Sequence, residues 1–183
     1  AREFNYPAES KIKSKEDIQS IGIKAAFCSN VFAAYRTKML KSVGGFPDRM
    51  ILSEDMYAGA KLILKGYKIA YAADAKCLHS HNYSILEDFR RSFDIGVFQS
   101  REKWLVDAFG RSESEGLKYT QSCLKDLLVH HPLSIPLAVC RIAMRLIGFR
   151  LGWAEARLSL ETKRQLSMNR GFWFNEPQGP ENA

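Results

Sequence analysis

Two adjacent acidic residues, Glu54 and Asp55, follow Ser53 where the sequence predicts the start of a helix. Ser53 is a favourable N-cap residue, and a carboxylate held in the first helical turn can take the proton from a substrate hydroxyl as a general base. Such acids also have a structural explanation, because they complement the helix dipole and accept hydrogen bonds from free backbone N–H groups. Glu54 and Asp55 are therefore candidate catalytic residues, with a structural role as the alternative.

The second candidate is the tripeptide His79-Ser80-His81. Residues two apart share one face of a β-strand, so the two imidazoles are predicted to face one ion, although solvated or core histidines are the common alternative. A helix leads away from Asp55 and strands bring the chain back, so we expect His79 beside Asp55. A carboxylate and an imidazole in one place suit a divalent cation such as Mn²⁺ or Mg²⁺.

A pair of arginines, Arg90 and Arg91, follows in the next predicted helix. The forked donors of a guanidinium suit a diphosphate, and solvation at the surface is the alternative. The sequence contains no Asp-x-Asp, no Gly-x-Gly-x-x-Gly, no Walker-type phosphate loop and no Gly-x-Ser-x-Gly. If a nucleotide is bound, most of its site is therefore expected elsewhere.

The hydrophobic periodicity predicts a mixed α/β part up to about residue 105 and an α-helical tail after it. Glycines are expected to end the first two helices, with Gly44-Gly45 after the first and Gly66 after the second. Residues 1–20 are predicted to be a connector or surface loop. The predicted strands cover residues 21–27, 68–73 and 75–79, and the predicted helices cover residues 36–43, 54–65, 86–105, 117–129 and one or two segments within 134–168.

The composition is that of a globular protein, because 46% of the 183 residues are hydrophobic and 26% are charged, which excludes a disordered or fibrous chain. The four cysteines are widely spaced, so we expect buried reduced thiols and a reducing compartment. Residues 127–140, the longest stretch without Lys, Arg, Asp or Glu, are too few to span a bilayer, so no transmembrane helix is expected. The first residues show no signal peptide, and we expect further residues upstream of Ala1.

The chain is basic, with a formal charge of +7, of which residues 130–165 contribute +4. On a helical wheel Arg141 and Arg145 lie together beside Gly148, with apolar residues over the remainder. Such a helix can lie in a membrane interface with its arginines toward anionic head groups, or pack its apolar surface on the rest of the protein. Nucleic acid is not an expected partner, because the cations are not clustered with exposed aromatic residues and no recognition motif is present.

Several segments, in the same order along the chain, resemble segments of one known family. Residues 27–36, 43–46, 53–56, 66–71 and 79–83, which include Gly44-Gly45-Phe46 and Ser53-Glu54-Asp55-Met56, look like the C-terminal half of a family 2 glycosyltransferase. Within that family the chain most resembles bacterial rhamnosyltransferases of O-antigen and other surface polysaccharides, over residues 1 to about 130. The resemblance implies the GT-A (nucleotide-diphospho-sugar transferase) fold, an α/β fold whose first half binds the nucleotide and carries an Asp-x-Asp metal motif. That half is missing here, so the resemblance also implies a fragment that is inactive alone.

The resemblance further implies roles for individual residues. Asp55 falls on the catalytic base of the family, with Glu54 as its partner, and His79 falls where related enzymes complete the metal site. Ser29, Asn30, Gly44 and Gly45 correspond to the side of the family's active site that binds the acceptor. Glycines suit this place because small residues let a sugar approach the backbone closely.

The implied reaction is the inverting transfer of a sugar, rhamnose from dTDP-rhamnose, to a saccharide or lipid-linked acceptor with the help of Mn²⁺ or Mg²⁺. Residues 1–105 would form the acceptor and catalytic half of the transferase domain, and residues 106–183 a helical, basic and amphipathic extension. The expected location is the cytoplasm, at the inner face of the inner membrane. Two alternatives stay open: a non-catalytic membrane-surface or protein-binding module, and a mononuclear metal hydrolase that uses Asp55 and the histidines.

Overall fold

The computed structural model describes residues 6–79, 81–110 and 113–174, for residues 113–119 the backbone only. This described part is mostly helical and has one two-stranded antiparallel sheet. Strand β1 (Lys11–Lys13) pairs with β2 (Ile69–Tyr71) in a register that sets Ile12 opposite Ala70. The prediction of an α/β chain is therefore confirmed only in part, and the architecture is compatible with a piece of a larger domain.

Helices dominate because apolar side chains recur at helical spacing, as Phe89, Phe93 and Val97 do in the fourth helix. The described residues form short 3₁₀ turns at Lys15–Asp17, Gly22–Ala25, Asn30–Phe32, Pro132–Ser134 and Glu155–Arg157. The α-helices of the same part are α1 (Ile18–Ile21), α2 (Thr37–Ser42), α3 (Glu54–Leu64), α4 (Ile85–Arg101), α5 (Lys103–Phe109), α6 (Glu113–His130), α7 (Ile135–Trp153), α8 (Leu160–Leu166) and α9 (Arg170–Phe174).

The chain divides into two compact units that alternate along the sequence. The described residues of the first unit lie within Ala1–Pro47, Ser53–Asn82 and Glu102–Cys140. Those of the second unit lie within Asp48–Leu52, Tyr83–Arg101 and Arg141–Ala183. The boundary at residue 105 between a catalytic half and a basic extension is a functional division and stays a prediction.

The first unit is built around α3, whose inner face carries small residues. Ala58 and Ala60 are fully buried, and an added Cβ at Gly59 would lie 2.5 Å from the carbonyl oxygen of Ala26. Real side chains do not approach a backbone oxygen so closely, because protein interiors are already packed at close to crystal density. Glycine at this position therefore lets α3 lie directly against the chain that leaves the Gly22–Ala25 turn.

A buried lysine on β1 supports the same turn. Lys13 is 8% exposed, and its Nζ donates hydrogen bonds to the carbonyl oxygens of Lys24, at 3.1 Å, and Phe27. Burial lowers the pKa of Lys13 below its ordinary value. The ammonium group satisfies carbonyl oxygens at the end of the turn, and thereby fixes the chain that continues toward Asn30.

The second unit has a helical core in which α4 crosses the second half of α7. Gly148 and Gly152 of α7 face the backbone of Phe89 and Phe93 so closely that a Cβ on either glycine would collide with a carbonyl oxygen. Phe93 is fully buried, and so is Trp173 of α9, whose ring centre lies 6.5 Å from that of Phe93. The small residues allow close contact between the helix backbones, and the aromatic rings fill the space beside them.

Two buried carboxylates organise the polar contacts of this unit. Asp94 is fully buried and accepts hydrogen bonds from Ser167 Oγ at 2.6 Å and from the backbone N–H groups of Met168 and Asn169. Burial raises the pKa of Asp94 above its ordinary value, although these hydrogen bonds act in the opposite direction. Asp94 thus ties α4 to the segment between α8 and α9.

Glu155 is the second of these carboxylates. It is 7% exposed and pairs with Arg101 Nε at 2.9 Å and Lys163 Nζ at 2.5 Å. Burial alone would raise the pKa of Glu155, but the hydrogen bonds and charges of Arg101 and Lys163 together lower it below the ordinary value. The charged form of Glu155 is therefore the one that the fold stabilises.

The helix predictions with clear ends are confirmed. Residues 36–43 contain α2 and residues 54–65 contain α3, and the expected glycines Gly44, Gly45 and Gly66 all have positive φ, from 75° to 92°. The predicted helix over residues 86–105 is interrupted at Glu102, which separates α4 from α5.

Two strand predictions are wrong. Residues 21–27 form the end of α1 and a 3₁₀ turn, and residues 75–79 form no strand. A short apolar run does not by itself distinguish a buried strand from a helical turn. Here the small residues Ala25 and Ala26 are buried in a helical turn, because Gly59 leaves room for their backbone and Lys13 binds its carbonyl groups. Residues 1–20, predicted as a loop, contain β1 and part of α1.

Candidate active site

The two candidate catalytic acids lie at the start of α3, as predicted. The residue before them, Ser53, has φ 64°, the one positive φ of a non-glycine residue in the described part of the chain. Ser53 occupies the N-cap position, as predicted, but its side chain accepts no hydrogen bond from the first turn of the helix. Instead Asp55 Oδ1 accepts the backbone N–H of Met56 at 2.8 Å. The left-handed residue turns the chain sharply into the helix and leaves Glu54 and Asp55 half-buried in its first turn.

Asn30 binds both acids. Its backbone N–H donates to Asp55 Oδ2 at 3.0 Å, and its side-chain Nδ2 donates to Glu54 Oε1 at 3.1 Å. Asn30 begins a 3₁₀ turn, and the preceding Ser29 is extended and half-buried. The structure therefore brings together four predicted site residues, Ser29, Asn30, Glu54 and Asp55, from segments 24 or more residues apart in the chain.

Tyr35 completes this cluster and was not predicted as a site residue. Its hydroxyl donates to Asn30 Oδ1 at 2.8 Å and lies 3.4 Å from Cys28 Sγ. Burial, the Cys28 thiol and the charges of Asp55 and Glu54 all raise the pKa of Tyr35. The tyrosine lies within the segment that carries the family resemblance, but nothing in its spacing showed that the chain would turn its hydroxyl back onto Asn30.

Gly44 and Gly45 lead into the same region. Both have positive φ, and an added Cβ at either would meet no atom within 4 Å, so open space surrounds them. They precede Phe46, whose ring meets the Tyr35 ring edge-on at 5.2 Å between centroids. Phe46 is 38% exposed, and Phe32, in the same turn as Asn30, is 61% exposed. The carboxylates therefore lie near exposed aromatic side chains and an open stretch of backbone.

The two histidines touch each other, but not in the predicted way. The His79 and His81 rings meet edge-on at 4.3 Å between centroids, both residues are exposed, and neither is on a strand. Ser80, between them, lies outside the described residues. In the described part of the chain no three His, Cys, Asp or Glu side chains come together as a metal centre requires. Mn²⁺ and Mg²⁺ prefer several oxygen ligands, and the divalent cation site at His79 stays a prediction.

Arg90 and Arg91 both lie on α4 and belong to the second unit, whereas Asp55 belongs to the first. Arg91 is exposed, and its charge acts on Asp94. Arg90 is half-buried, and its Nε is buried with no hydrogen-bond partner in the described part of the chain. The role of these arginines toward a diphosphate stays a prediction.

Two arginines of the basic tail, Arg141 and Arg145, pair with a buried carboxylate. Arg141 Nη1 binds the buried carboxylate of Asp88 and also donates to the carbonyl oxygen of Tyr83 at 2.9 Å. Arg145 binds the other oxygen of Asp88 through Nη2 at 2.6 Å. These two arginines tie α7 to α4 within the second unit, which fits the alternative that this helix packs on the rest of the protein. Contact of the helix with lipid head groups stays a prediction.

The segment before these arginines is exposed and apolar. In the first unit Leu133 is 96% exposed, and Leu128, Val129, Leu137 and Val139 are 50% to 74% exposed. The 3₁₀ turn Pro132–Ser134 and α7 together form one continuous helix, Pro132–Trp153. By length and composition this helix is long and apolar enough to cross a membrane, with a mean hydropathy of 1.5. In the most apolar 18 residues of this helix, 6% of the residues are buried within the protein. The prediction that no stretch of the chain is long enough to span a bilayer is therefore wrong by length and composition, because the apolar helix continues past Arg141.

Comparison with known proteins identifies the class that the chain resembles. It is similar in sequence to bacterial rhamnosyltransferases of the O-antigen chain, which confirms the resemblance seen in its motifs. Over 175 residues it is 44% identical to O-antigen chain rhamnosyltransferase WbaN of Salmonella anatum and 43% identical to O-antigen chain rhamnosyltransferase RfbN of Salmonella typhimurium strain LT2. Each match covers 96% of this chain and 56% of the relative, so the chain spans about half the length of these curated relatives. No family model and no solved structure matches the chain.

Proposed function

We propose that this chain carries the acceptor-activating part of an inverting glycosyltransferase that adds rhamnose during synthesis of a bacterial surface polysaccharide. The observation that carries the proposal is the placement of Asp55. Its carboxylate is held between the backbone N–H groups of Asn30 and Met56, beside Glu54, in the first turn of α3. The proposal is further supported by the sequence of the chain, which is 44% identical to an O-antigen chain rhamnosyltransferase.

In the proposed reaction Asp55 takes the proton from a hydroxyl group of the acceptor. The acceptor oxygen forms a bond to the anomeric carbon of the donor sugar as the bond from that carbon to the diphosphate oxygen breaks. The nucleoside diphosphate leaves with the electron pair from the opposite face, so the anomeric configuration inverts. We propose dTDP-rhamnose as the donor, by analogy with the named activity of the relatives.

The acceptor is proposed to be a saccharide, free or lipid-linked, that lies across the open backbone at Gly44 and Gly45. Ser29 lies at the start of the Asn30 turn, and we propose that its hydroxyl binds the acceptor. The exposed rings of Phe46 and Phe32 offer apolar surface to the C–H face of a sugar ring. Polar and apolar groups side by side are what recognition of a carbohydrate requires.

The donor site is proposed to lie mainly in the part of the relatives that the match does not cover. This is consistent with the lack of phosphate-binding motifs in the sequence and with a GT-A fold for the whole transferase. Arg90 and Arg91 are the residues of this chain that we propose for contact with the diphosphate. A divalent cation bound by His79 stays a prediction, and no step of the reaction above depends on it.

A second candidate function is a non-catalytic membrane-surface module. The observation that favours it is the exposed apolar segment from Leu128 to Val139. We propose that this segment lies along the cytoplasmic face of the inner membrane through its apolar side chains. Arg141 and Arg145 of α7 are paired with Asp88 and are not needed for this contact. Attachment there also suits a transferase with a lipid-linked acceptor, so this property and catalysis are compatible.

The experiment that tests the catalytic proposal is Asp55→Asn in the full-length protein, assayed with dTDP-rhamnose and the native acceptor. The substitution keeps the shape of the side chain and removes the base, so the rate is expected to fall about 10²- to 10⁴-fold. Asp107→Asn, an exposed acid on α5, is the matched control and should keep the parental rate. A parental rate for Asp55→Asn would remove Asp55 from the mechanism, and turnover of a substrate without a sugar nucleotide would favour the hydrolase.

A further inference from the structure

The hydrogen bonds around the two acids form a chain from Glu54 and Asp55 through Asn30 to Tyr35. We propose that Tyr35 and Asn30 are positioning residues of the catalytic site, an inference that rests on the proposed role of Asp55 as the base. The Tyr35 hydroxyl holds the carboxamide of Asn30, and Asn30 in turn fixes the carboxylates of Glu54 and Asp55. Neither residue touches the reacting atoms in this assignment.

The direction of each hydrogen bond follows from the chemistry of the groups. A carboxamide has an acceptor end and a donor end. Because the Tyr35 hydroxyl donates to Oδ1 of Asn30 at 2.8 Å, the Nδ2 end of the same group is turned toward Glu54 Oε1, at 3.1 Å. The backbone N–H of Asn30 donates to Asp55 Oδ2 at 3.0 Å. Asn30 therefore contacts both acids, Asp55 through its backbone and Glu54 through its carboxamide, and the Tyr35 hydroxyl sets the orientation of that carboxamide.

Tyr35 is suited to be a permanent donor. Its ring is half-buried and lies edge-on to Phe46, which restricts its rotation. Burial, Cys28 and the two neighbouring carboxylates all raise the pKa of the phenol above its ordinary value, so it keeps its proton at neutral pH. Its donor function therefore does not change over the pH range in which a carboxylate base works.

The described contacts also change the interpretation of Asn30. The sequence resemblance suggested that Asn30 meets the acceptor, but its Oδ1 and Nδ2 both bind groups of the protein itself. A base must lie within hydrogen-bonding distance of the proton that it removes, and small errors in its position lower the rate strongly. Asn30 and Tyr35 limit such errors, because their hydrogen bonds hold the acidic side chains in position.

The test uses the full-length protein with Tyr35→Phe, which removes one hydroxyl and keeps the ring. We expect kcat to fall about 3- to 10-fold, the size of effect that one lost hydrogen bond produces, with the KM for the donor unchanged. The acid limb of the pH profile of kcat/KM should also move, because the released Asn30 carboxamide no longer holds the charged Glu54 in its place beside the base. Tyr71→Phe is the matched control: its hydroxyl makes a hydrogen bond of the same 2.8 Å length, to the carbonyl oxygen of Pro7, away from the acids.

A double-mutant cycle shows whether Tyr35 acts through Asp55. If it does, Tyr35→Phe lowers the residual rate of Asp55→Asn by less than it lowers the parental rate. Fully additive effects, or a Tyr35→Phe enzyme with the kinetics and pH profile of Tyr71→Phe, would overturn the inference and leave the role of Asp55 intact. A parental rate for Asp55→Asn alone would instead overturn the proposed function. Asn30→Ser, at an exposed residue whose truncation leaves the core unchanged, repeats the test should Tyr35→Phe fold poorly.

Discussion

Gly59 and Ala26 meet through their backbones, and this contact sets the distance between the two segments of the candidate site. A Cβ on Gly59 would lie 2.5 Å from the Ala26 carbonyl oxygen. Gly59 lies one helical turn after Asp55, and Ala26 lies four residues before Asn30. The hydrogen bond from Asn30 to Asp55 therefore depends on a glycine that is not itself part of the site.

The first prediction follows from this contact. Gly59→Ala should push α3 away from Ala26, lower the free energy of unfolding by about 1–3 kcal/mol and lengthen the contacts of Asn30 with the acids. Urea unfolding and the transferase rate of the full-length protein would both report the change. Gly171→Ala is the control, because Gly171 is also in a helix but an added Cβ there meets no atom within 4 Å. Equal stability of the two variants would show that the packing tolerates a methyl group at Gly59.

The sequence predicted the parts of the fold that local patterns determine. α3 was predicted almost to the residue because acids open it, apolar residues recur at helical spacing and Gly66 ends it. The turn around Ala25 was predicted as a strand because its conformation depends on Gly59 and Lys13, which are distant in the sequence. Contacts of this kind cannot be read from the spacing of apolar residues.

The same distinction applies to the candidate site. Glu54 and Asp55 could be found from their position at a helix start and from the family resemblance. Tyr35 could not, because its role depends on a hydrogen bond to Asn30 that exists only after the intervening turn has formed. The pairing of Arg141 with Asp88 was missed for the same reason, since a helical wheel shows which face a residue occupies but not what meets it.

The second prediction concerns acceptor binding. Phe46→Ala should raise the KM for the acceptor about 2- to 12-fold, because an aromatic contact contributes about 0.5–1.5 kcal/mol to binding. It should also lower kcat, because the Phe46 ring packs edge-on against Tyr35. Steady-state kinetics with the acceptor varied at saturating donor would measure this. Phe174→Ala serves as the control, since Phe174 is also exposed but lies on α9 in the second unit. An unchanged acceptor KM for Phe46→Ala would place the acceptor elsewhere.

The third prediction is a pH dependence of stability. The fold lowers the pKa of Glu155, so its stabilising contribution is complete above the ordinary glutamate pKa of about 4.3 and is lost as the pH falls through the lower value in the fold. The free energy of unfolding should therefore fall more steeply on acidification below about pH 5 in the parent than in Glu155→Gln.

Two comparisons isolate this effect. Asp94, whose pKa burial raises, changes stability in the opposite direction, but it is present in both proteins and cancels in their difference. Glu161→Gln removes an exposed glutamate of α8 and should keep the parental slope. Parallel curves for the parent and Glu155→Gln would mean that Arg101 and Lys163 do not stabilise the charged form.

The last prediction concerns the exposed apolar segment. If it lies on a lipid surface, the full-length protein should sediment with vesicles of phosphatidylethanolamine and phosphatidylglycerol. Leu133→Asp combined with Leu137→Asp should lower the fraction bound at least 10-fold, because each leucine loses about 1.5–3 kcal/mol of apolar burial. Both residues are exposed in the structure, so the stability of the soluble protein should not change. Leu78→Asp, at a leucine that is 100% exposed but outside the segment, should bind like the parent. Unchanged vesicle binding by the double variant, together with a lower melting temperature, would show that protein rather than lipid covers this segment.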